Sequence, residues 1–227
     1  MEPIVLADLQ FGVNISALLE KMRVDADASD GQSVLALWES ARQVAKPKAV
    51  YREAFIEHKD NGSVVIDGIR FESSLLAVNL KNNNRVFPHV VTCGQELDEW
   101  SHTIQGMLEK YWAEEIKASI LQAAFRDFTS RLVDVYRLGT TSVMNPGSLD
   151  DWPISEQGKL FRLLGDPAAA IGVCLNESCL MVPMKSISGI RFATERTFEN
   201  CQLCARDNCV GRRAPYDPLL YGNRYSI

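Results

Sequence analysis

The amino-acid sequence predicts one α+β domain in which helices flank an antiparallel twisted sheet. Short strand-like runs lie between turn signals over residues 49–93, a long helical stretch without proline covers residues 96–137, and further strand-like runs fill residues 171–194. Strands first, then a long helix, then strands again is the order expected of an α+β domain with an antiparallel sheet. The length of 227 residues suits one such domain, with or without an appendage.

Two helices are predicted at the start of the chain. ISALLEKMRV (residues 15–24) and SVLALWESARQVA (residues 33–45) both repeat apolar residues at helical spacing. Asp30 and Gly31 are predicted to separate the two helices, and Pro47 to end the second.

Strand-like runs follow the helices. They are AVYREAFIEH (49–58), SVVIDGI (63–69), SLLAVNL (74–80) and RVFPHVVTC (85–93). Asp60-Asn61-Gly62 and Asn82-Asn83-Asn84 separate some of these runs, and such residues are typical of hairpin turns. The sequence therefore predicts a sheet of short antiparallel strands here.

The helical stretch at residues 96–137 is predicted to be buried on one face and to be split at Gly106. One face carries apolar residues at near-fourfold spacing: Trp112, Ile116, Ile120, Ala124, Phe128 and Leu132. Such a stripe indicates a helix packed on a core rather than a cofactor surface.

The pattern of residues changes in the last third of the chain. GTTSVMNPGSLDDWP (139–153) is loop-like, ISEQGKLFRLLG (154–165) predicts a short helix, and residues 171–194 predict two strands joined by a polar turn. After Asn200 the sequence becomes rich in Cys, Arg, Pro and Tyr. We therefore divide the chain into a domain at residues 1–200 and a cysteine-rich tail at residues 201–227.

Composition excludes several classes of function. A net charge of -5 argues against nucleic-acid binding by a broad basic surface. We see no signal peptide and no apolar run long enough for a membrane-spanning helix, so we expect a cytoplasmic protein. The metalloprotease HExxH motif, the P-loop and the Rossmann glycine fingerprint are absent from the sequence, which argues against a hydrolase, a kinase or a nicotinamide enzyme.

The most specific chemical signal is the C-x₂-C-x₄-C spacing of Cys201, Cys204 and Cys209. Disulfides are rare in the cytoplasm, and thiolates two residues apart in a turn can bind one metal ion together. A [4Fe–4S] cluster, a structural zinc ion and three free thiols all remain open, because the spacing matches no standard template. The fourth ligand is open too, with Cys179, Cys93 and an external ligand as candidates.

Two other motifs are candidate binding elements. In MNPGS (144–148), Pro146 fixes φ and Gly147 allows close approach of a ligand to the backbone, although Pro-Gly is usually an ordinary turn. ESC (177–179) and KSISGIRF (185–192) place Ser and Gly within strands, which suggests close approach by another group.

Residues 142–193 resemble the activation domain of cobalamin-dependent methionine synthase. That domain carries a Pro-Gly loop, a short helix, and a stretch "Leu-Thr-Glu-Ser … Met-x-Pro … Ser-Val-Ser-Gly" that ends in an aromatic pair. Here the matching runs are MNPGSLDDWPISEQGKLFRLL and GVCLNESCLMVPMKSISGIRF. The whole chain is similar to stand-alone activation-domain proteins of anaerobes, including the C-x₂-C-x₄-C tail.

The resemblance implies reductive reactivation of a corrinoid methyltransferase. One electron from a flavodoxin-like or ferredoxin-like donor and the methyl group of S-adenosylmethionine would restore methylcobalamin on a separate cobalamin-binding protein or methionine synthase core. The resemblance also implies a cofactor site at ten positions: Asn145, Pro146, Gly147, Ser148, Glu177, Ser178, Ser188, Gly189, Arg191 and Phe192. No catalytic acid or base is implied, since the protein positions the methyl group.

The motifs depart from the family at two places. The family has an arginine four residues before the loop glycine and a tyrosine directly after it, where this chain has Val143 and Ser148. After the Ser-Gly stretch, Ile190-Arg191-Phe192 replaces Trp-Tyr-Phe. We therefore hypothesise that Arg191 binds the carboxylate of S-adenosylmethionine.

Three functions are compatible with the sequence. The first is the S-adenosylmethionine-dependent activator, whose cysteine tail could relay the electron. The second is a non-catalytic docking or chaperone subunit for a corrinoid protein, with zinc in its tail. The third is an iron–sulfur electron carrier.

Overall fold

An eight-stranded antiparallel sheet organises the chain in a computed structural model, which describes residues 2–195, 199–209, 212 and 214–219. Its strands are β1 (Ile4–Leu6), β2 (Lys48–Tyr51), β3 (Ala54–Lys59), β4 (Ser63–Ile66), β5 (Ile69–Glu72), β6 (Arg85–Thr92), β7 (Thr141–Met144) and β10 (Ser186–Ala193). A separate hairpin is formed by β8 (Cys174–Leu175) and β9 (Met181–Val182).

Strand β6 lies at the centre of the sheet. One edge of β6 pairs with β2 over residues 89–92 and with β3 over residues 85–86, so the sheet branches there. The other edge pairs with β10, and β7 pairs with the far edge of β10. Two long strands from distant parts of the chain, β6 and β10, therefore hold the sheet together.

Seven helices and two short 3₁₀ turns surround the sheet in the described part of the chain. The helices are α1 (Ile15–Met22), α2 (Ser29–Val44), α3 (Ser74–Asn79), α4 (Gln95–His102), α5 (Met107–Tyr136), α6 (Gln157–Leu164) and α7 (Pro167–Ile171). The 3₁₀ turns are Ile154–Glu156 and Asn200–Leu203. The predicted α+β class, with an antiparallel sheet and flanking helices, is confirmed.

The two faces of the sheet bury two separate apolar cores, because side chains alternate along each strand. On β6, Val86 and Val90 belong to the first core, which α3 and α6 cover, whereas Phe87 and Val91 belong to the second, which α1, α2 and α5 cover. The predicted stripe of α5 is confirmed: Trp112, Ile116, Ile120, Ala124, Phe128 and Leu132 are each at most 2% exposed.

The predicted break of the long helix at Gly106 is also confirmed, since α4 ends at His102 and α5 begins at Met107. Helix α5 has 30 residues, but charged side chains recur along it. In the part of the chain that the structure describes, no helix has an apolar stretch long enough to cross a membrane.

The strand predicted at residues 74–80 is wrong, because this run forms α3. The Ser73 hydroxyl accepts a hydrogen bond from the Leu76 amide (2.9 Å), as an N-cap does. The Asp151 carboxylate accepts from the amides of Ser74 (3.2 Å) and Leu75 (3.0 Å). A residue far away in the sequence therefore stabilises this helix, which local apolar spacing could not reveal.

Other predicted boundaries also change. Residues 63–69 span two strands, because Asp67 and Gly68 turn the chain with φ values of 42° and 76°. Helix α2 begins at Ser29, so the predicted break at Asp30 and Gly31 lies within its first turn. Strand β7 occupies part of the predicted loop after residue 139. Of the predicted tail at residues 201–227, residues 210, 211, 213 and 220–227 lie outside the described part.

His89 makes the stability of this fold depend on pH. Its ring is fully buried between β6 and α5, with Nδ1 3.0 Å from the Phe87 carbonyl oxygen. Burial, together with the positive charge of Arg191, lowers the pKa of His89 from 6.5 to about 3. Between these two values the unfolded chain binds a proton that the folded protein does not. The contribution of His89 to the free energy of unfolding is therefore complete above the pKa that this histidine has in the unfolded chain. It is lost progressively as the pH falls below that pKa.

We expect the free energy of unfolding to fall by up to about 1.4 kcal/mol per pH unit in this range. Urea unfolding from about pH 7 down to about pH 5 measures it. The His89→Gln variant removes the titrating group and should show a flatter dependence. An equal slope in both proteins would contradict the assignment to His89.

Candidate functional site

A cavity of about 1240 Å³ lies at the edge of β10. Its walls come from α5, the loop after β7, the turn and helix at residues 154–157, the β9–β10 region and a cysteine-rich segment, which we define as residues 199–209, 212 and 214–219. This volume is large enough for a nucleoside-sized ligand, since such pockets typically measure about 300–1,000 Å³. The cavity is the main candidate site among the described residues.

The cavity forms where β10 loses one of its neighbours. Strand β7 pairs with β10 only at residues 190–193, and the chain turns away after Met144. The Ser188 carbonyl instead accepts a hydrogen bond from the Asn145 side-chain amide (2.5 Å). Ser186 presents its backbone groups on the same side as Ser188, because strand residues alternate. Backbone donors and acceptors are therefore available at this edge of the sheet.

The Pro-Gly loop is built as a tight turn beside that edge. The Gly147 amide donates to the Trp152 carbonyl (2.8 Å), and the Ser148 amide donates to the Asn145 carbonyl (3.1 Å). Gly147 has φ of 79°, and a Cβ there would lie 2.8 Å from Cδ1 of Ile154. Glycine is thus required both by the backbone conformation and by the space.

Gly189 confirms the prediction that glycine in this strand permits close approach. A Cβ at Gly189 would lie 2.7 Å from both the Asn145 side-chain nitrogen and the Met144 carbonyl oxygen, and 2.9 Å from Cγ2 of Val143. The group that approaches is therefore the start of the Pro-Gly loop.

A chain of side-chain hydrogen bonds joins the motifs that the sequence singled out. Asn200 donates to Asn145 (2.8 Å), Asn145 donates to the Ser188 carbonyl, and the Ser188 hydroxyl donates to Gln157 (2.6 Å). Gln157 in turn donates to the Cys179 carbonyl (2.9 Å). These hydrogen bonds fix the cysteine-rich segment, the Pro-Gly loop, β10 and α6 relative to one another.

The cysteine-rich segment is packed onto the domain. Leu203 is 4% exposed and belongs to the first core. The Arg212 guanidinium donates to the carbonyls of Cys201 (3.1 Å) and Cys204 (3.3 Å), and also to that of Arg206. The segment therefore forms a loop around Arg212 that makes one wall of the cavity.

Cys201, Cys204 and Cys209 all line the cavity. However, no three cysteine, histidine, aspartate or glutamate side chains lie close enough to share a metal ion within the described part of the chain. The suggested fourth ligand Cys93 is fully buried in the second core, where burial raises the pKa of its thiol to about 12. Cys179 does not line the cavity. The arrangement of the described side chains thus gives no three-ligand group, and metal binding by the cysteines stays a prediction.

Half of the ten predicted cofactor residues line the cavity: Asn145, Pro146, Gly147, Ser148 and Ser188. Glu177 and Ser178 do not, because they lie exposed in the turn between β8 and β9. Phe192 does not, because β10 points its ring into the first core, where it is fully buried. Both differences come from strand direction and turn position, which the motif alone did not specify.

Arg191 also lies outside the cavity. It is 6% exposed on the face of the sheet that packs on α5, and it donates to the hydroxyls of Thr141 (2.9 Å) and Thr129 (3.1 Å). Its guanidinium carbon lies 5.6 Å from the ring centroid of Phe125. Burial lowers the pKa of Arg191 to about 10. Arg191 thus packs against Phe125, which lines the cavity, and does not line the cavity itself.

Several cavity residues were not predicted from the sequence. Gln122 and Phe125 of α5 lie beside its buried stripe, and Asp150, Arg206 and Tyr216 come from loops. Helical position could have indicated both residues, since Phe125 precedes Phe128 of the stripe by three positions and Gln122 precedes Phe125 by three. The loop residues carry no such signal.

Comparisons with known proteins agree with this architecture. No family model matches the chain, and no curated protein matches it. Among solved structures, the chain is similar to the MetH reactivation domain crystallised with AdoHcy bound, at 13% sequence identity and a TM-score of 0.59. The alignment covers 88% of this chain and 81% of that chain. The curled antiparallel sheet with flanking helices is thus the fold of that reactivation domain.

Proposed function

We propose that the cavity binds S-adenosylmethionine and presents its methyl group to a corrinoid carried by a separate protein, so that an inactive corrinoid methyltransferase is reactivated. The observation that carries the proposal is the convergence of the Pro-Gly loop and the Ser-Ile-Ser-Gly strand on one large cavity. The structure with the similar fold was solved with AdoHcy bound, the compound that S-adenosylmethionine becomes when it gives up its methyl group.

The lining suits such a ligand. The ring of Phe125 and the apolar side chains of Met181 and Ile187 offer surfaces for an adenine ring, and the edge of β10 offers hydrogen bonds. Asp150 is exposed in the wall and supplies a negative charge for the ligand's ammonium or sulfonium group.

The reaction divides into two steps. An external donor gives one electron to cob(II)alamin on the partner, and the resulting cob(I)alamin displaces S-adenosylhomocysteine from the sulfonium methyl group. Methylcobalamin and S-adenosylhomocysteine are the products. The share of this chain is to hold the methyl group in line with cobalt, so positioning supplies its contribution rather than acid–base chemistry.

Isothermal titration calorimetry with S-adenosylhomocysteine tests the first part, and we expect one site per chain. For the second part, the corrinoid protein, an electron donor and this chain are mixed with S-adenosylmethionine. The formation of methylcobalamin is monitored by its visible absorption spectrum. Omission of this chain is the control. A chain that binds neither S-adenosylmethionine nor S-adenosylhomocysteine would refute the proposal.

A docking subunit without a catalytic role is the second candidate. Exposed apolar side chains favour a protein partner: Met184 is 75% exposed beside the cavity, and Met107 is 89% exposed at the start of α5. An ion pair between Lys185 and Glu114 (3.1 Å) connects these two regions. Binding to a corrinoid protein with no affinity for S-adenosylmethionine would favour this second function.

Metal binding by Cys201, Cys204 and Cys209 stays a prediction. Protein purified without oxygen is analysed for iron, sulfide and zinc, and its visible spectrum is recorded. If the thiols bind a metal, the bound metal should be lost in the variant with all three cysteines changed to serine, because serine does not replace a thiolate ligand. Equal metal content in the variant and the original chain would rule out these ligands.

A further inference from the structure

The proposed ligand carries a carboxylate that needs a cationic partner, and the cavity offers a specific one. Carboxylates are bound most strongly by arginine, whose planar guanidinium can donate two parallel hydrogen bonds. Arg191 does not line the cavity, and Val143, at the end of β7 where the related family has an arginine, carries no charge. The positive charge must therefore reach the cavity from another element.

Arg206 supplies that charge. Of the described residues that line the cavity, three are charged: Asp150, Asp151 and Arg206. Asp151 is engaged by Ser73 and by the first amides of α3, so its carboxylate is part of the scaffold. Arg206 is thus the single cationic side chain of the described lining.

The backbone around Arg206 is held in place from two sides. Its carbonyl accepts a hydrogen bond from Arg212, which also binds the carbonyls of Cys201 and Cys204. At the start of the segment, Asn200 is bonded to Asn145 of the Pro-Gly loop. Arg206, which is exposed and lines the cavity, therefore lies on a backbone that is fixed relative to the Pro-Gly loop.

We infer that Arg206 binds the carboxylate of the S-adenosyl ligand, so that the cysteine-rich segment is part of the binding site. The inference rests on the proposed function. In this arrangement the amino-acid end of the ligand lies toward the cysteine-rich segment, and the adenosine end lies toward Phe125 and the edge of β10.

A matched pair of ligands tests the inference by calorimetry on the full chain. S-adenosylhomocysteine has the carboxylate, and S-adenosyl-3-thiopropylamine is the same molecule without it. We expect the original chain to bind the first about 10- to 100-fold more tightly, as is usual for a charge-assisted hydrogen bond. Arg206→Gln should abolish this preference, and Arg206→Lys should retain part of it because lysine keeps the charge but not the bidentate geometry.

Arg42→Gln is the control, because it removes the same charge from an exposed position on α2. It should leave the preference unchanged. If the original chain prefers the carboxylate and Arg206→Gln prefers it equally, Arg206 is not the partner, while the proposed function stands. If the original chain binds neither ligand, the proposed function fails and this inference fails with it.

Discussion

Gly189→Ala is expected to lower the affinity for S-adenosylhomocysteine about 10- to 100-fold and to destabilise the fold by about 1–3 kcal/mol. The new methyl group would lie 2.7 Å from both the Asn145 side chain and the Met144 carbonyl. The Met144 backbone pairs with β10, so it has little freedom to move away. The Pro-Gly loop must then shift, and with it the cavity wall that Asn145 connects to Asn200.

The matched control is Gly158→Ala on α6. A Cβ at Gly158 meets nothing within 4 Å. Alanine within a helix is favoured over glycine by about 0.5–1 kcal/mol, so this variant should be as stable as the original chain or more so. Calorimetry gives the affinity and urea unfolding gives the stability. Unchanged affinity in Gly189→Ala would show that the position of the Pro-Gly loop does not govern binding.

Trp152→Ala is expected to cost about 3–5 kcal/mol of unfolding free energy, as large aromatic deletions in cores do. Trp152 is fully buried in the first core, and its ring packs edge-on against Phe71 at 6.2 Å between centroids. Its carbonyl also accepts the hydrogen bond from Gly147. The loss of the ring therefore affects both the core and the loop that forms the cavity.

Trp152→Phe keeps an aromatic ring in the core and removes only the indole nitrogen and part of the ring system. The Trp152 indole nitrogen is buried and has no hydrogen-bond partner among the described residues, so its removal leaves none of them unsatisfied. We expect Trp152→Phe to be much less destabilising than Trp152→Ala in urea unfolding. Trp100→Ala is the control at a half-buried position on α4, at the margin of the second core, and should cost less than Trp152→Ala. A similar loss in Trp100→Ala and Trp152→Ala would contradict the special role of Trp152.

The elements that could be predicted are those that a local sequence signal or a periodic apolar pattern specifies. The stripe of α5 predicted a buried helix because every fourth residue is apolar, and the break at Gly106 was visible as a glycine in a helical run. Strand β6 was visible as a strand-like run between turn signals, and every residue of it after Arg85 is buried.

The elements that escaped prediction depend on distant contacts. Helix α3 has the apolar composition of a strand, and its N-terminus is stabilised by Asp151 from the other half of the chain. Strand β7 exists because β10 offers it an edge, which no local pattern in a polar stretch can show.

The site was predictable in its motifs but not in its side-chain directions. The Pro-Gly and Ser-Gly motifs indicated two backbone segments that lie together at the cavity, and the close approach at Gly189 followed from its lack of a side chain. The side-chain direction of Arg191 could not be predicted in this way, because alternation along β10 turns that side chain toward α5. A strand boundary one residue off reverses every such assignment.

The link between Asn145 and Asn200 has a consequence for the way the protein is made. All strands of the main sheet are synthesised by the time translation reaches Ala193, and nearly all of both cores with them. The wall that carries Cys201, Arg206 and Tyr216 comes after β10 in the chain and packs onto a surface that the earlier residues form. A chain that ended after β10 would therefore keep the main sheet and nearly all of both cores but would have an unfinished pocket.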